Sequence, residues 1–144
     1  ALHCNIRSLS ANYDCFLHML SELNISFPLI GLSETKLVED KDIISNVNIT
    51  GYDLISKPTL SNAGGVAFYV RNNLRYNIRP DFTLSTPDFE ALWIEIYADS
   101  QQNLNCGVLY RHPNNDFKKI HGLHKHNNRK NYLRKQVVRI YGRL

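Results

Sequence analysis

Phe89-Glu90-Ala91-Leu92-Trp93-Ile94-Glu95-Ile96-Tyr97 is the stretch on which the fold turns. Leu92, Ile94 and Ile96 alternate with Trp93, Glu95 and Tyr97, so a side-chain period of two gives a strand with one aliphatic and one mixed face. The polar residues 99–103 read as a hairpin-like turn, and Leu104 to Tyr110 as the returning strand, closed by His112-Pro113-Asn114-Asn115.

Upstream, Gly64-Gly65 leads into Val66-Ala67-Phe68-Tyr69-Val70, whose β-branched and aromatic content marks a second strand. Asn72-Asn73 closes it, and an antiparallel return through Leu74, Tyr76 and Ile78 is expected. Tyr52 to Ser56 reads as another strand, and residues 37–50, with Glu39, Asp40 and Asp42, as a loop holding one helical turn. Near the start, Leu2 to Ile6 forms a short strand. Ser8, Ser10 and Asn12 offer cap oxygens, and Tyr13, Phe16, Leu17, Leu20 and Leu23 recur at helical spacing. Pro28 separates this helix from Leu29-Ile30-Gly31-Leu32, an inner strand. The pattern is α+β: strands largely in meandering order, with a helix on one face. A second apolar sheet face wants a further layer, and little chain is left to build one.

Composition agrees with one globular domain: 144 residues, 43% hydrophobic and 21% charged. No apolar run approaches the roughly 20 residues that span a bilayer, so no membrane association is expected. The opening residues lack a secretory pattern, and the missing initiator Met suggests a start inside a larger product. Cys4, Cys15 and Cys106 form no pair spacing, which favours a reduced intracellular protein, nuclear or cytoplasmic, with buried thiols. The charge of +4 is uneven. Residues 1–116 carry eight Lys and Arg against thirteen Asp and Glu, a net of −5, whereas 117–144 carry nine and no acid, a net of +9. This divides the chain into a body, 1–116, and a basic tail, 117–144, divergent or disordered, with Tyr132, Leu133, Val137, Val138 and Ile140 suited to a short helix.

Several residues can carry chemistry. Glu34, in Ser33-Glu34-Thr35-Lys36, stands where a buried strand meets solvent; a lone carboxylate there is most often an ordinary surface group, and it is chemically suited to a magnesium ion without being a site by itself. Asn5 ends the first strand, and its amide can donate to a phosphate oxygen or simply close a turn. Tyr110 and Arg111 offer a hydroxyl and a guanidinium fork to phosphate, though a tyrosine at a strand edge with its hydroxyl in water is commonplace. His112 has base chemistry, but its proline neighbour and the lack of a nearby carboxylate in sequence favour a turn role. Gly64-Gly65 matches neither phosphate-loop spacing and reads as a tight approach into a strand. The cysteines and His121, His124 and His126 lack zinc-ligand spacing.

Four segments in order, Cys4-Asn5-Ile6-Arg7-Ser8-Leu9, Gly31-Leu32-Ser33-Glu34-Thr35-Lys36-Leu37, Asn62-Ala63-Gly64-Gly65-Val66-Ala67-Phe68-Tyr69-Val70 and Cys106-Gly107-Val108-Leu109-Tyr110-Arg111-His112-Pro113-Asn114, resemble the apurinic-type endonuclease domain of non-LTR (LINE-like) retrotransposon proteins. That family belongs to the endonuclease/exonuclease/phosphatase superfamily. The resemblance covers residues 1 to about 116. It implies a DNase I-like, four-layer αββα sandwich, here only its N-terminal half, and magnesium-dependent nicking of target DNA from which a linked reverse transcriptase primes. By position, Asn5 resembles the asparagine that organises metal and phosphate, Glu34 the magnesium-binding glutamate and Tyr110 the tyrosine at the scissile phosphate. Arg111 lies in the family's Tyr-Arg-x-Pro segment, in a supporting role.

The sequence also departs from the family. The Gly-Asp-Phe-Asn and Ser-Asp-His motifs, which supply the remaining catalytic groups, do not occur, and Asp116 is the sole acid after Asn114. The expectations are therefore little or no cleavage by this chain alone, weak magnesium binding, and a marginal monomer whose second sheet face lies open. The alternative is noncatalytic binding of nucleic acid or a partner through Arg111 and the tail's Lys118, Lys119, Lys125, Arg129, Lys130, Arg134 and Lys135.

Overall fold

The computed structural model describes residues 1–39, 41–59, 63–98 and 102–112, and the backbone of a strand at 136–141. Its elements are β1 (Leu2–Asn5), α1 (Leu9–Leu23), β2 (Leu29–Ser33), α2 (Lys41–Ser45), β3 (Tyr52–Lys57), β4 (Val66–Arg71), β5 (Tyr76–Ile78), β6 (Leu84–Ser85), β7 (Phe89–Ile96), β8 (Leu104–Arg111) and β9 (Gln136–Tyr141). They form an α+β fold with two sheets. The first is mixed, in the order β1-β2-β4-β3, with β1 parallel to β2 and the other pairs antiparallel. The second is antiparallel, in the order β5-β7-β8-β9, with β6 also on β7.

Strand alternation builds two cores, one on each face of the first sheet. From β4, Val66, Phe68 and Val70 point one way and Ala67 and Tyr69 the other, all of them buried. The first set meets Leu92, Ile94 and Ile96 of β7 and Cys106, Val108 and Tyr110 of β8, closing an inter-sheet core together with Leu29 and Ile55. The second set meets Leu9 and Phe16 of α1, with Ile30, Leu32, Leu37 and Val47. Helix, sheet and sheet thus stack in three layers. The Ser8 hydroxyl caps α1 by accepting from the Ala11 amide, and Asn24 ends the helix in the left-handed conformation. The Tyr69 hydroxyl donates to the Val47 carbonyl, and that of Tyr13 donates to the Asn48 carbonyl at 2.6 Å, which fastens the segment after α2 over the helical layer.

Four expectations are corrected. The segment after Asn73 does not return along β4. Both edges of β4 are already occupied by β2 and β3, so Tyr76–Ile78 crosses to the other sheet and pairs with β7. The tail does not end in a helix, because residues 136–141 form β9, in register with β8 from Asn105↔Tyr141 to Tyr110↔Gln136. Val137, Val138, Ile140 and Tyr141 favour an extended backbone, and pairing satisfies an edge of β8 that would otherwise present unpaired amides. The apolar second face is not left open either, since this chain supplies both sheets of the inter-sheet core. The burial of thiols holds for Cys106 alone: Cys4 is half-buried and Cys15 exposed. No helix among the described residues is long and apolar enough to cross a membrane.

Candidate functional site

The strand directions bring five sequence-distant segments to one end of the sandwich. β1 and β2 run parallel, so Asn5 and Glu34 emerge together at their C-terminal ends. β4 runs against β2, with Ser33 paired to Val66, which sets Gly64-Gly65 at the same edge. In the facing sheet, Glu90 at the start of β7 pairs with Tyr110 near the end of β8, and His112 follows immediately.

At this end the Asn5 Nδ2 donates to Glu34 Oε1 at 2.8 Å. The Tyr110 hydroxyl reaches across from the second sheet and donates to the Glu34 carboxylate. Burial, the Glu34 charge with that hydrogen bond, and the Glu90 charge together raise the Tyr110 hydroxyl above its ordinary value, so the phenol stays protonated as a donor. Glu34 is therefore a carboxylate oriented by two donors, one from each sheet, with lone pairs left over for a cation. Asn5 Oδ1 accepts from the Arg7 amide at 3.3 Å and has a second lone pair.

The loops that carry these groups are held by backbone hydrogen bonds that extend the sheet beyond its strands. Ile6 N donates to Ser33 O, Ser8 N to Glu34 O and Leu9 N to Thr35 O; on the other side Thr35 N donates to Gly65 O and Lys36 N to Gly64 O, all within 2.8–3.1 Å. Arg7, Ser8, Glu34 and Lys36 have positive φ, a conformation that costs a non-glycine residue energy and persists only where surroundings enforce it. The doubled stitching is that enforcement. Gly64 and Gly65, at φ +107° and +83°, allow the close approach: a Cβ on Gly65 would lie 2.5 Å from Thr35 Oγ1.

Behind Glu34 lies a second carboxylate. Glu90 is 1% exposed, accepts the Gly65 amide through Oε2, and places Oε1 3.8 Å from His112 Nε2. The His112 ring meets Tyr110 edge-on, with centroids 5.1 Å apart. A carboxylate thus lies beside His112, which follows β8 directly, although none was expected near it from the sequence. The signal for Glu90 was present in the sequence: it shares the parity of Leu92, Ile94 and Ile96, and a charge on the aliphatic side of a strand is buried and needs a partner.

Of the sequence-predicted residues, Asn5, Glu34 and Tyr110 are brought together. Arg111 is not, because alternation along β8 turns it to the face opposite Tyr110. Lys118, Lys119, Lys125, Arg129, Lys130, Arg134 and Lys135 lie outside the described residues. His3 shares the Asn5 face, its Nε2 3.3 Å from Ser33 Oγ, and burial lowers its pKa. Among the described residues no group of three or more His, Cys, Asp or Glu side chains is placed to hold a metal ion. What remains for a cation is a set of hard oxygen donors, the Glu34 carboxylate and the Asn5 amide oxygen, suited to a magnesium ion that keeps most of its water. Comparison with known protein families and with curated proteins finds no match for the chain.

Proposed function

We propose that the chain carries the metal- and phosphate-binding part of a magnesium-dependent DNA endonuclease site on a DNase I-like fold, of the kind used in non-LTR retrotransposition for target-site nicking ahead of a linked reverse transcriptase. One observation carries the proposal. Asn5, Glu34 and Tyr110, singled out from three separate segments, converge on one carboxylate through the Asn5–Glu34 and Tyr110–Glu34 hydrogen bonds.

On this reading Glu34, with the Asn5 oxygen, would hold the magnesium ion, which would supply polarisation of a phosphodiester and stabilisation of the charge that develops there. The second N–H of the Asn5 amide would donate to a phosphate oxygen, and the Tyr110 hydroxyl, whose one proton rests on Glu34 in the structure, would turn it to the phosphate when DNA binds, so that both orient the group. The basic stretch from Lys118 to Lys135 supplies nonspecific attraction to the DNA backbone, which weakens steeply with salt. The sequence contains neither of the motifs that would supply the attacking-water machinery, so the 144-residue chain binds without turning over.

The test is a pair of measurements on rigorously purified protein. Magnesium titration followed by NMR should shift the Asn5 side-chain amide in the wild type and leave it unmoved in Glu34→Ala, while neither protein nicks supercoiled DNA. Nicking that disappears in Glu34→Ala refutes the lack of turnover. An Asn5 amide indifferent to magnesium refutes the site.

A further inference from the structure

Glu90 is the feature that the site so far described does not use. It is a carboxylate sealed between two sheets, and its contacts run to both halves of the site. Toward the first sheet, Oε2 accepts the Gly65 amide, and the Gly64 and Gly65 carbonyls in turn accept from Lys36 and Thr35, the residues following Glu34. Toward the second, Oε1 faces His112 at 3.8 Å, and His112 abuts the Tyr110 ring. A Cβ on Gly64 would come within 2.7 Å of Glu90 Oε2 and 2.9 Å of His112 Cε1, so these groups are in close packing with no slack.

From this chain of contacts we infer that Glu90 is a positioning residue: its hydrogen bond to Gly65 holds the positive-φ turn at Glu34 at the height where Tyr110 from the opposite sheet can reach it. The inference rests on the site reading given above. The Glu34 turn is strained and is set by hydrogen bonds to Gly64 and Gly65. Those two glycines are themselves free to adopt many conformations, and the Gly65 amide is buried against the Glu90 carboxylate. Remove the acceptor and an unsatisfied buried amide drives the turn to rearrange, carrying Glu34 out of register with Tyr110.

The contacts also separate the acceptor role from a role of charge. Glu90→Gln keeps an oxygen for the Gly65 amide and loses the charge beside His112; Glu90→Ala loses both. Binding of Mn²⁺ alone to the full chain, read by electron paramagnetic resonance, should weaken about tenfold or more in Glu90→Ala, the range for loss of a residue that orients a metal ligand, and recover in Glu90→Gln. A general stabilising role would lower the urea midpoint of Glu90→Ala and leave the Mn²⁺ affinity of its folded molecules unchanged. In the wild type, magnesium should shift the Gly65 backbone amide and the Asn5 side-chain amide with one common affinity, a readout that survives even where Glu90→Ala does not fold. Wild-type affinity in a folded Glu90→Ala, or a Glu90→Gln as impaired as Glu90→Ala, overturns the positioning role alone, as does a Gly65 amide that ignores magnesium while Asn5 responds. No binding of either ion to the wild type overturns the site and this inference with it.

Discussion

Replacing Gly65 by alanine perturbs the fold at the point where the site is assembled, and a second glycine provides the control. Gly65 has φ +83° and Gly51 has φ +86°, so an added Cβ meets the same backbone penalty at each, about 1–2 kcal/mol. The surroundings differ. At Gly51 nothing lies within 4 Å of the new atom, whereas at Gly65 it would sit 2.5 Å from Thr35 Oγ1 and 3.2 Å from the Lys36 amide nitrogen. Thr35 is 1% exposed and has no room to swing away, so the turn carrying Glu34 must move, an overpacking cost of about 1–3 kcal/mol. Gly65→Ala should therefore lose about 2–5 kcal/mol and Gly51→Ala only about 1–2 kcal/mol. Against a total stability of about 5–15 kcal/mol the difference is large. Urea unfolding followed by the emission of Trp93, the single tryptophan, measures both. Equal losses in the two variants would refute the packing argument and with it the claim that Gly64-Gly65 fixes the Glu34 turn.

Two further outcomes follow from the same geometry. In Gly107→Ala the new Cβ would lie 2.6 Å from Trp93 Cε2, roughly 1 Å inside normal carbon contact, so the indole must lift off β8; a red-shifted emission and a loss of about 1–3 kcal/mol are expected, and an unchanged spectrum with unchanged stability would show that the ring does not cover Gly107. Burial holds His3 below its ordinary value of 6.5. Between the folded and ordinary values only the unfolded chain takes up the proton, so stability is full above 6.5 and is lost as pH falls toward the folded value. Urea midpoints on either side of 6.5 should differ in the wild type and converge in His3→Gln; a wild-type midpoint that does not fall with pH would remove His3 from the account.

Local order was legible in the sequence because it follows from local periodicity. The helix after Ser8, the strands at 29–33, 66–71, 89–96 and 104–111, and the aliphatic face of Leu92, Ile94 and Ile96 all depend on residues close in the chain. Residue type and strand position left Asn5, Glu34 and Tyr110 as easily read as turn or surface residues; the resemblance of four ordered motifs set them together. The partnership of strands was not. Tyr76–Ile78 pairs with β7 because β4 has no open edge, and residues 136–141 become a strand because β8 offers one; both outcomes depend on chain that lies far away in sequence. For the same reason the expected open sheet face is closed: apolar stripes on separate strands bury one another only after the two sheets have formed.

The strand Phe89–Ile96 shows where the division falls. Its alternation marked one face as aliphatic, and Glu90, not singled out from the sequence, shares the parity of that face. Tertiary structure alone decided what a carboxylate does there, by bringing the Gly65 amide from one sheet and the His112 ring from the other to its two oxygens. A side-chain period is a property of a few adjacent bonds, whereas a buried charge becomes tolerable only through partners that folding delivers from elsewhere.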